Sequence, residues 1–209
     1  MKRQYFLFYW IWTLFPILGL QAQTGLKINE LMASNGNTIA DNFQEYDDWI
    51  ELYNGGSQAM DLTGYYLSDD LDILDKWAFP SHSSGHLIPA SGFLLVWADA
   101  QVHQGSRHTN FKLSSVGETV YLVDPDGETV IDSIRFGEQF EDIAYGRSPN
   151  GGTSLSYMSQ PSPLVSNTGH QPIVSPVTIS PAAGFHQTSV TVSLACPVPN
   201  ASGIEPSRV

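Results

Sequence analysis

From Leu26 to Phe136 apolar and polar residues alternate in short runs, and most runs stop at residues that turn the chain. A period of two puts every second side chain on one face, which is the pattern of a half-buried strand. Phe111–Phe136 carries it most clearly. Val120 and Leu122 alternate with Thr119, Tyr121 and Val123, and beyond Asp124-Pro125-Asp126-Gly127 the alternation resumes as Val130, Asp132, Ile134 and Phe136 on one parity. Pro125 presets φ and Gly127 tolerates positive φ, so this stretch predicts a hairpin whose turn fixes the register of both strands.

Further strands are predicted at Leu26–Met32, Trp49–Asn54, Gly64–Ser68 and Lys76–Phe79. The first falls out of step at Leu31, which predicts a bulge or the strand's end. Phe93-Leu94-Leu95-Val96-Trp97 is apolar throughout, which predicts a core strand buried on both faces. No helical period with caps persists beyond two turns, whereas strands and turn signals recur at roughly 8–12 residues, the spacing of a β-sandwich or barrel. The chain therefore reads as all-β.

Composition then divides the chain. Lys2-Arg3 precede an uncharged run from Tyr5 to Leu20 and then Gln21-Ala22-Gln23, the arrangement of a secretory signal. Residues 1–22 read as that signal, cut after Ala22 or Gln23. The run is shorter than a membrane span and is interrupted by Pro16, so no span is expected after its removal. Residues 24–152 read as the principal domain. A Ser-, Pro-, Gly- and Thr-rich stretch without apolar periodicity, 153–176, reads as a linker. Residues 177–209 hold two short strand patterns and read as an incomplete β-module, too short for an ordinary core.

The formal charge of −12 becomes −14 once residues 1–22, with Lys2, Arg3 and no acid, are removed. The seven remaining cations are Lys27, Lys76, Arg107, Lys112, Arg135, Arg147 and Arg208. They are scattered, so no patch suits a row of phosphates and nucleic acid is not an expected partner. With Cys196 as its single cysteine the chain has no disulfide framework, and an extracytoplasmic address, secreted or at a bacterial cell surface, is expected from the signal.

Six pieces occur in one order: Ile28-Asn29-Glu30-Leu31-Met32-Ala33-Ser34-Asn35, Asp48-Trp49-Ile50-Glu51-Leu52-Tyr53-Asn54, Leu62-Thr63-Gly64-Tyr65-Tyr66-Leu67-Ser68-Asp69, Phe111-Lys112-Leu113 with Gly117-Glu118-Thr119-Val120-Tyr121-Leu122, Ile131-Asp132, and Tyr145-Gly146-Arg147. Together, over about residues 26 to 150, they resemble the bacterial secreted lamin-tail domain. The resemblance implies an immunoglobulin-like β-sandwich. It also implies an accessory module, of the sort that accompanies secreted enzymes, with no catalytic residues to carry over. More weakly, Val177–Leu194 resembles the start of a chitobiase-type or fibronectin-associated β-module whose later strands are missing, which implies that the chain is truncated.

Candidate chemistry is sparse. Acids cluster at Asp47-Asp48-Glu51, Asp69-Asp70-Asp72-Asp75 and Asp124-Asp126-Glu128, and oxygen ligands suit calcium. None has the glycine position of an EF-type loop, so chelation would have to be shared between loops; the favoured reading is turn and surface carboxylates, with no cofactor. His82 and His86 are spaced i, i+4 but lie in a Ser/Gly/Pro loop with no third ligand nearby, which predicts exposed side chains and no zinc. No Gly-x-Ser-x-Gly elbow or ordered triad is present. Cys196 reads as a small apolar strand residue. Trp49 and Tyr53 share the parity of Glu51, opposite Ile50 and Leu52, so one of the two sets faces away from the core if the sheet is one-sided; the two aromatics are the candidate ligand-facing pair, for a glycan or a protein.

The expected function is a non-enzymatic module for adhesion, anchoring or protein interaction, with a protein or glycan at the cell surface as partner. The alternative is the N-terminal accessory region of a larger secreted enzyme or of a carbohydrate-binding surface protein. One structural pair is expected. Asp132 shares the parity of Ile134 and Phe136, so its carboxylate needs a cation or backbone donors, and Arg147 is the cation that the next short strand can bring beside it.

Overall fold

The structure, a computed structural model, describes residues 25–81 and 85–167 and the backbone of two later strands, Thr178–Ser180 and Ser193–Ala195. Its strands are β1 (Leu26–Met32), β2 (Trp49–Asn54), β3 (Met60–Asp61), β4 (Tyr66–Ser68), β5 (Trp77–Ala78), β6 (Leu87–Ile88), β7 (Phe93–Trp97), β8 (Glu118–Val123), β9 (Val130–Phe136), β10 (Ala144–Arg147), β11 (Leu155–Met158), β12 (Thr178–Ser180) and β13 (Ser193–Ala195). One short 3-10 turn, Val102–Gln104, interrupts them.

Two antiparallel sheets form the body, with strand orders β11-β10-β1-β2-β7 and β5-β4-β8-β9. Between them lies one core. Leu26, Ile28, Leu31, Ile50, Leu52, Leu94 and Val96 from the first sheet meet Leu67, Trp77, Val120, Leu122, Ile134 and Phe136 from the second. This is the β-sandwich arrangement, in which alternate residues of both inner faces interdigitate.

The hairpin β8–β9 forms with the expected turn. Gly127 has φ +75° and donates to Asp124 O at 2.9 Å, while the Asp126 carboxylate accepts from Glu128 N and Thr129 N. The loss of step in β1 is a bulge: register against β2 shifts between Ile28 and Glu30, so Asn29 is the additional residue.

The apolar run 93–97 is covered on both faces but is an edge strand. Leu94 and Val96 enter the main core, whereas Leu95 and Trp97 join Met32, Trp49, Ala144 and Met158 in a second core on the opposite face of the five-stranded sheet. Its free edge is closed by the chain at 107–109, through Trp97 N to Arg107 O and Thr109 N to Trp97 O.

The second core means that the sheet is not one-sided, so neither parity of β2 faces solvent over its buried part. Both parities of β2 are buried, Ile50 and Leu52 on one face and Trp49 and Glu51 on the other. The boundary at residue 152 is corrected. Residues 155–158 pair with β10, and 159–167 run back over the sheet as a strap: Ser162 donates to Glu30 through N and Oγ, Leu164 N donates to Glu51, and Asn167 Nδ2 donates to Arg147 O at 2.9 Å. The stretch lacks apolar periodicity because it is held by polar groups. The signal expected at 1–22, Cys196 and most of 168–209 lie outside the described residues; the described backbone of β12 and β13 pairs antiparallel.

A fragment ending at residue 152 loses β11 and three donors to two buried carboxylates. At about 1 kcal/mol net for each hydrogen bond lost, and with the burial of Met158 lost as well, it is expected to be at least ~3 kcal/mol less stable to urea than a fragment ending at residue 168. Equal midpoints and slopes for the two would show that the strap does not stabilise the sandwich.

Candidate functional site

Three polar assemblies stand out, two internal and one at the surface. The first joins the sheets. Arg147, on β10, directs Nη2 to both oxygens of Asp132 on β9 at 3.0 Å, Nε to Ile28 O at 2.8 Å and Nη1 to Gly152 O at 2.7 Å. Asp132 also accepts from Ile28 N at 2.9 Å and from Lys27 Nζ at 3.3 Å. One guanidinium nitrogen therefore serves the carboxylate, rather than a two-nitrogen fork, because the other two hold main-chain carbonyls. The pair takes the N–H and C=O of Ile28, just where the β1–β10 ladder ends. Lys27, a third member, precedes Ile28 in β1 and was not anticipated.

The second assembly is a pair of carboxyl groups under the strap. Glu30 and Glu51 are register partners across β1 and β2, and both are fully buried. Asn29 Nδ2 donates to Glu51 Oε1 at 2.9 Å. Burial pushes the Glu51 carboxyl up to about 8, against the hydrogen bonds from Asn29 and Leu164 and with a smaller push from Glu30; burial also raises Glu30. Opposed acids of this kind suit general acid–base work in an open cleft, but here the strap covers them. Their signal in the sequence is a glutamate set among apolar neighbours in each of two adjacent strands, Asn29-Glu30-Leu31 and Ile50-Glu51-Leu52.

The third assembly lies where β2 and β7 meet their loops. Asp99 Oδ2 and His108 Nδ1 share a buried hydrogen bond at 2.5 Å, and among the described residues no hydroxyl or thiol hydrogen-bonds to the other ring nitrogen. Trp97 stacks on the imidazole and Phe43 meets it edge-on, at centroid distances of 6.4 and 6.3 Å. Gln101 and Gln104, flanking and within the 3-10 turn, donate to Glu45 Oε2 at 3.3 and 2.6 Å. These bonds join the 41–47 turn to the 101–104 turn. Phe43, Tyr46 and Val102 stand on the two joined turns with half or more of their surface exposed.

Of the aromatics expected to face a ligand, Trp49 is fully buried in the second core. It cannot meet a ligand from outside, because the sheet face that carries it is covered. Tyr53 is half-buried, 5.2 Å from Phe93, and lines a shallow groove with Gly25, Lys27, Asn150, Gly151 and Thr153. His86 is also buried, with Nε2 3.2 Å from Ser106 O, which corrects its expected exposure; His82 lies outside the described residues.

The acidic clusters of the sequence come apart in space. Asp69 pairs with Lys76, Asp70 accepts from Asp72 N, and Asp126 caps its own turn. Asp47 groups with Asp41 and Glu45 instead of with Asp48 and Glu51.

Residues 20–138, more than half of the chain, match the Lamin Tail Domain family. With its all-β sandwich, the chain belongs to that family of immunoglobulin-like domains, which are generally non-catalytic interaction modules. No curated protein and no solved structure matches it. The family match ends after β9, whereas Arg147 and the strap belong to the segment beyond it.

Two outcomes check this geometry. In a double-mutant cycle, Asp132→Asn or Arg147→Gln alone is expected to cost about 3–5 kcal/mol, because each leaves a partner with under a tenth of its side chain exposed, and the double variant is expected to cost less than the sum. Additive losses would mean that the two do not interact. For Glu51, folded pKa lies above unfolded, so its contribution is full below about 4.5 and is lost as pH rises through about 8. Urea stability is therefore expected to fall between about pH 5 and 8, with a flatter slope in Glu51→Gln; an unchanged slope would show that Glu51 does not titrate there.

Proposed function

We propose that this domain is a non-enzymatic binding module that works after export, at the cell surface, as an adhesion, anchoring or protein-interaction part. The reading rests on the exposed trio Phe43, Tyr46 and Val102, on turns that Glu45, Gln101 and Gln104 hold together. Apolar side chains on loops braced by a rigid scaffold are the usual form of a recognition surface. The partner that fits is a protein with an apolar contact point and basic surroundings. Glu45, Asp47 and an overall charge of −12 favour the basic surroundings.

This reading supports the acidic composition as a means of steering and solubility. It leaves Asp99 and His108 as the wall on which Phe43 and Trp97 rest. Catalysis is no part of it.

Binding of the labelled chain to intact cells tests the reading. The double variant Phe43→Ser, Tyr46→Ser is expected to bind about 10-fold or more weakly at an unchanged melting temperature, as for anchors at the centre of an interface. Equal binding by the variant, or no binding by the parent chain, would overturn it.

A further inference from the structure

Acceptors outnumber donors around the 41–47 turn. Asp41, Glu45 and Asp47 each offer a carboxylate oxygen, and the three oxygens lie within 4.8 Å of one another. Asp41 is only 4 % exposed. Its Oδ1 accepts from Phe43 N and Glu45 N, both at 2.8 Å, but its Oδ2 is shut away from solvent without a donor. Asp47 Oδ2 is in the same state, and so is Oε1 of Gln104, whose amide nitrogen is held by Glu45. Three oxygens in one neighbourhood therefore lack the hydrogen-bond partner that buried acceptors nearly always have.

Placing carboxylates out of water without donors is costly, and mutual repulsion adds to the cost. Burial raises the Asp47 carboxyl, with Asp99, Glu45 and Asp41 pushing in the same direction and only Lys112 opposing. Glu45 is exposed, so the burial cost falls on Asp41 and Asp47; a cation set among the three side chains offsets that cost and the repulsion. Every available ligand atom is a hard oxygen, from carboxylate or amide. Such a set suits calcium, with Ca–O distances of about 2.3–2.6 Å and thus up to about 5 Å between ligands across the ion. Magnesium demands a tighter octahedron and keeps more of its water.

We propose that Asp41, Glu45 and Asp47 bind a calcium ion, with Gln104 Oε1 as a neighbouring oxygen able to turn toward it. The ion braces the turn that carries Phe43 and Tyr46, and through the Gln101 and Gln104 amides on Glu45 it steadies the turn that carries Val102. The site stands whether or not that apolar trio meets a partner, because ion binding is read on the chain alone. Its small charge count places it with the weaker oxygen-ligand sites, with Kd about 10⁻⁴–10⁻³ M.

Asp47 gives a clean test, since its buried Oδ2 accepts no hydrogen bond and Asn is its isostere. Calorimetric titration and thermal melting of the full chain, stripped with chelator, would be carried out with Ca²⁺, with Mg²⁺ and with NaCl at matched ionic strength. Ca²⁺ is expected to bind at one site and raise the melting temperature, while Mg²⁺ and NaCl do so much less. Asp47→Asn should weaken Ca²⁺ binding about 10-fold or more, since affinity follows ligand charge. The order of stability should also invert: the variant melts above the parent in chelator, where repulsion is relieved, and below it in saturating Ca²⁺. As a control, Asp126→Asn, in the hairpin turn, should leave Ca²⁺ binding unchanged. No heat and no shift up to about 10 mM Ca²⁺, well above the expected Kd, would overturn the proposal. Equal stabilisation by Mg²⁺ or NaCl, or unchanged binding by Asp47→Asn, would do the same.

Discussion

The sandwich depends on how Ile28 is held. It is the last residue before the β1 bulge, and its N–H and C=O point past the end of the β1–β10 ladder with no strand to meet them. Asp132 takes the N–H and Arg147 takes the C=O, and the two charges then meet each other. A side-chain pair thus stands in for a strand residue. Because Asp132 belongs to the four-stranded sheet and Arg147 to the five-stranded one, the substitution also ties the two layers together at a point where backbone bonding cannot. Arg147 extends the tie through Gly152 and Asn167 to the turn and the strap. Burying such a pair yields little net stability compared with apolar packing, but once buried neither partner is dispensable. Its value lies in fixing the register in which β1, β9 and β10 come together.

The same sheet explains what was legible in the sequence. Alternation located β1, β2, β8 and β9, a continuous apolar run located β7, and Asp124-Pro125-Asp126-Gly127 located the hairpin, because these signals are local: residue pattern and turn conformation are decided within a few residues. The out-of-step Leu31 even marked the bulge. Edge or centre, one-sided or two-sided burial, and the extent of the domain are not local. The run at 93–97 is apolar because it is covered on both faces, and nothing in that run says that residues 107–109 close its edge. The strap at 159–167 has the composition of a linker, since it is held by its Ser162 and Asn167 side chains and by the Leu164 amide, with no apolar stripe.

Trp49 shows the same limit from the other side. Parity correctly separates Trp49, Glu51 and Tyr53 from Ile50 and Leu52, yet parity does not say what covers the second face. Met32, Leu95, Trp97, Ala144 and Met158 cover it around Trp49, the strap covers it around Glu51, and only Tyr53, at the strand's end, reaches a groove. Asp132 with Arg147 was within reach of parity reasoning because both lie in short, well-phased pieces. Lys27 was not, because it is brought to Asp132 by the packing of the two sheets.

Burial of Glu30 and Glu51 has a consequence for where function can sit. A carboxyl raised to about 8 by burial holds its proton at neutral pH, so the covered face carries less negative charge than the sequence suggests. At the other extreme, Asp61, Asp126 and Asp142 are held below the usual carboxylate range by hydrogen bonds from neighbouring main-chain and hydroxyl groups, and they stay charged. The negative potential is thereby displaced from the sheet toward the turns. Two acidic turns settle their charge locally, Asp126 by capping its own backbone and Asp69 by pairing with Lys76. The turn at 41–47 does so only in part: Asp41 Oδ1 caps its own backbone, but Asp41 Oδ2 and Asp47 Oδ2 are left without donors, and exposed Phe43 and Tyr46 stand beside them. A surface that combines unspent charge with unspent apolar area is where a sandwich of this kind has most to gain from a second molecule or ion.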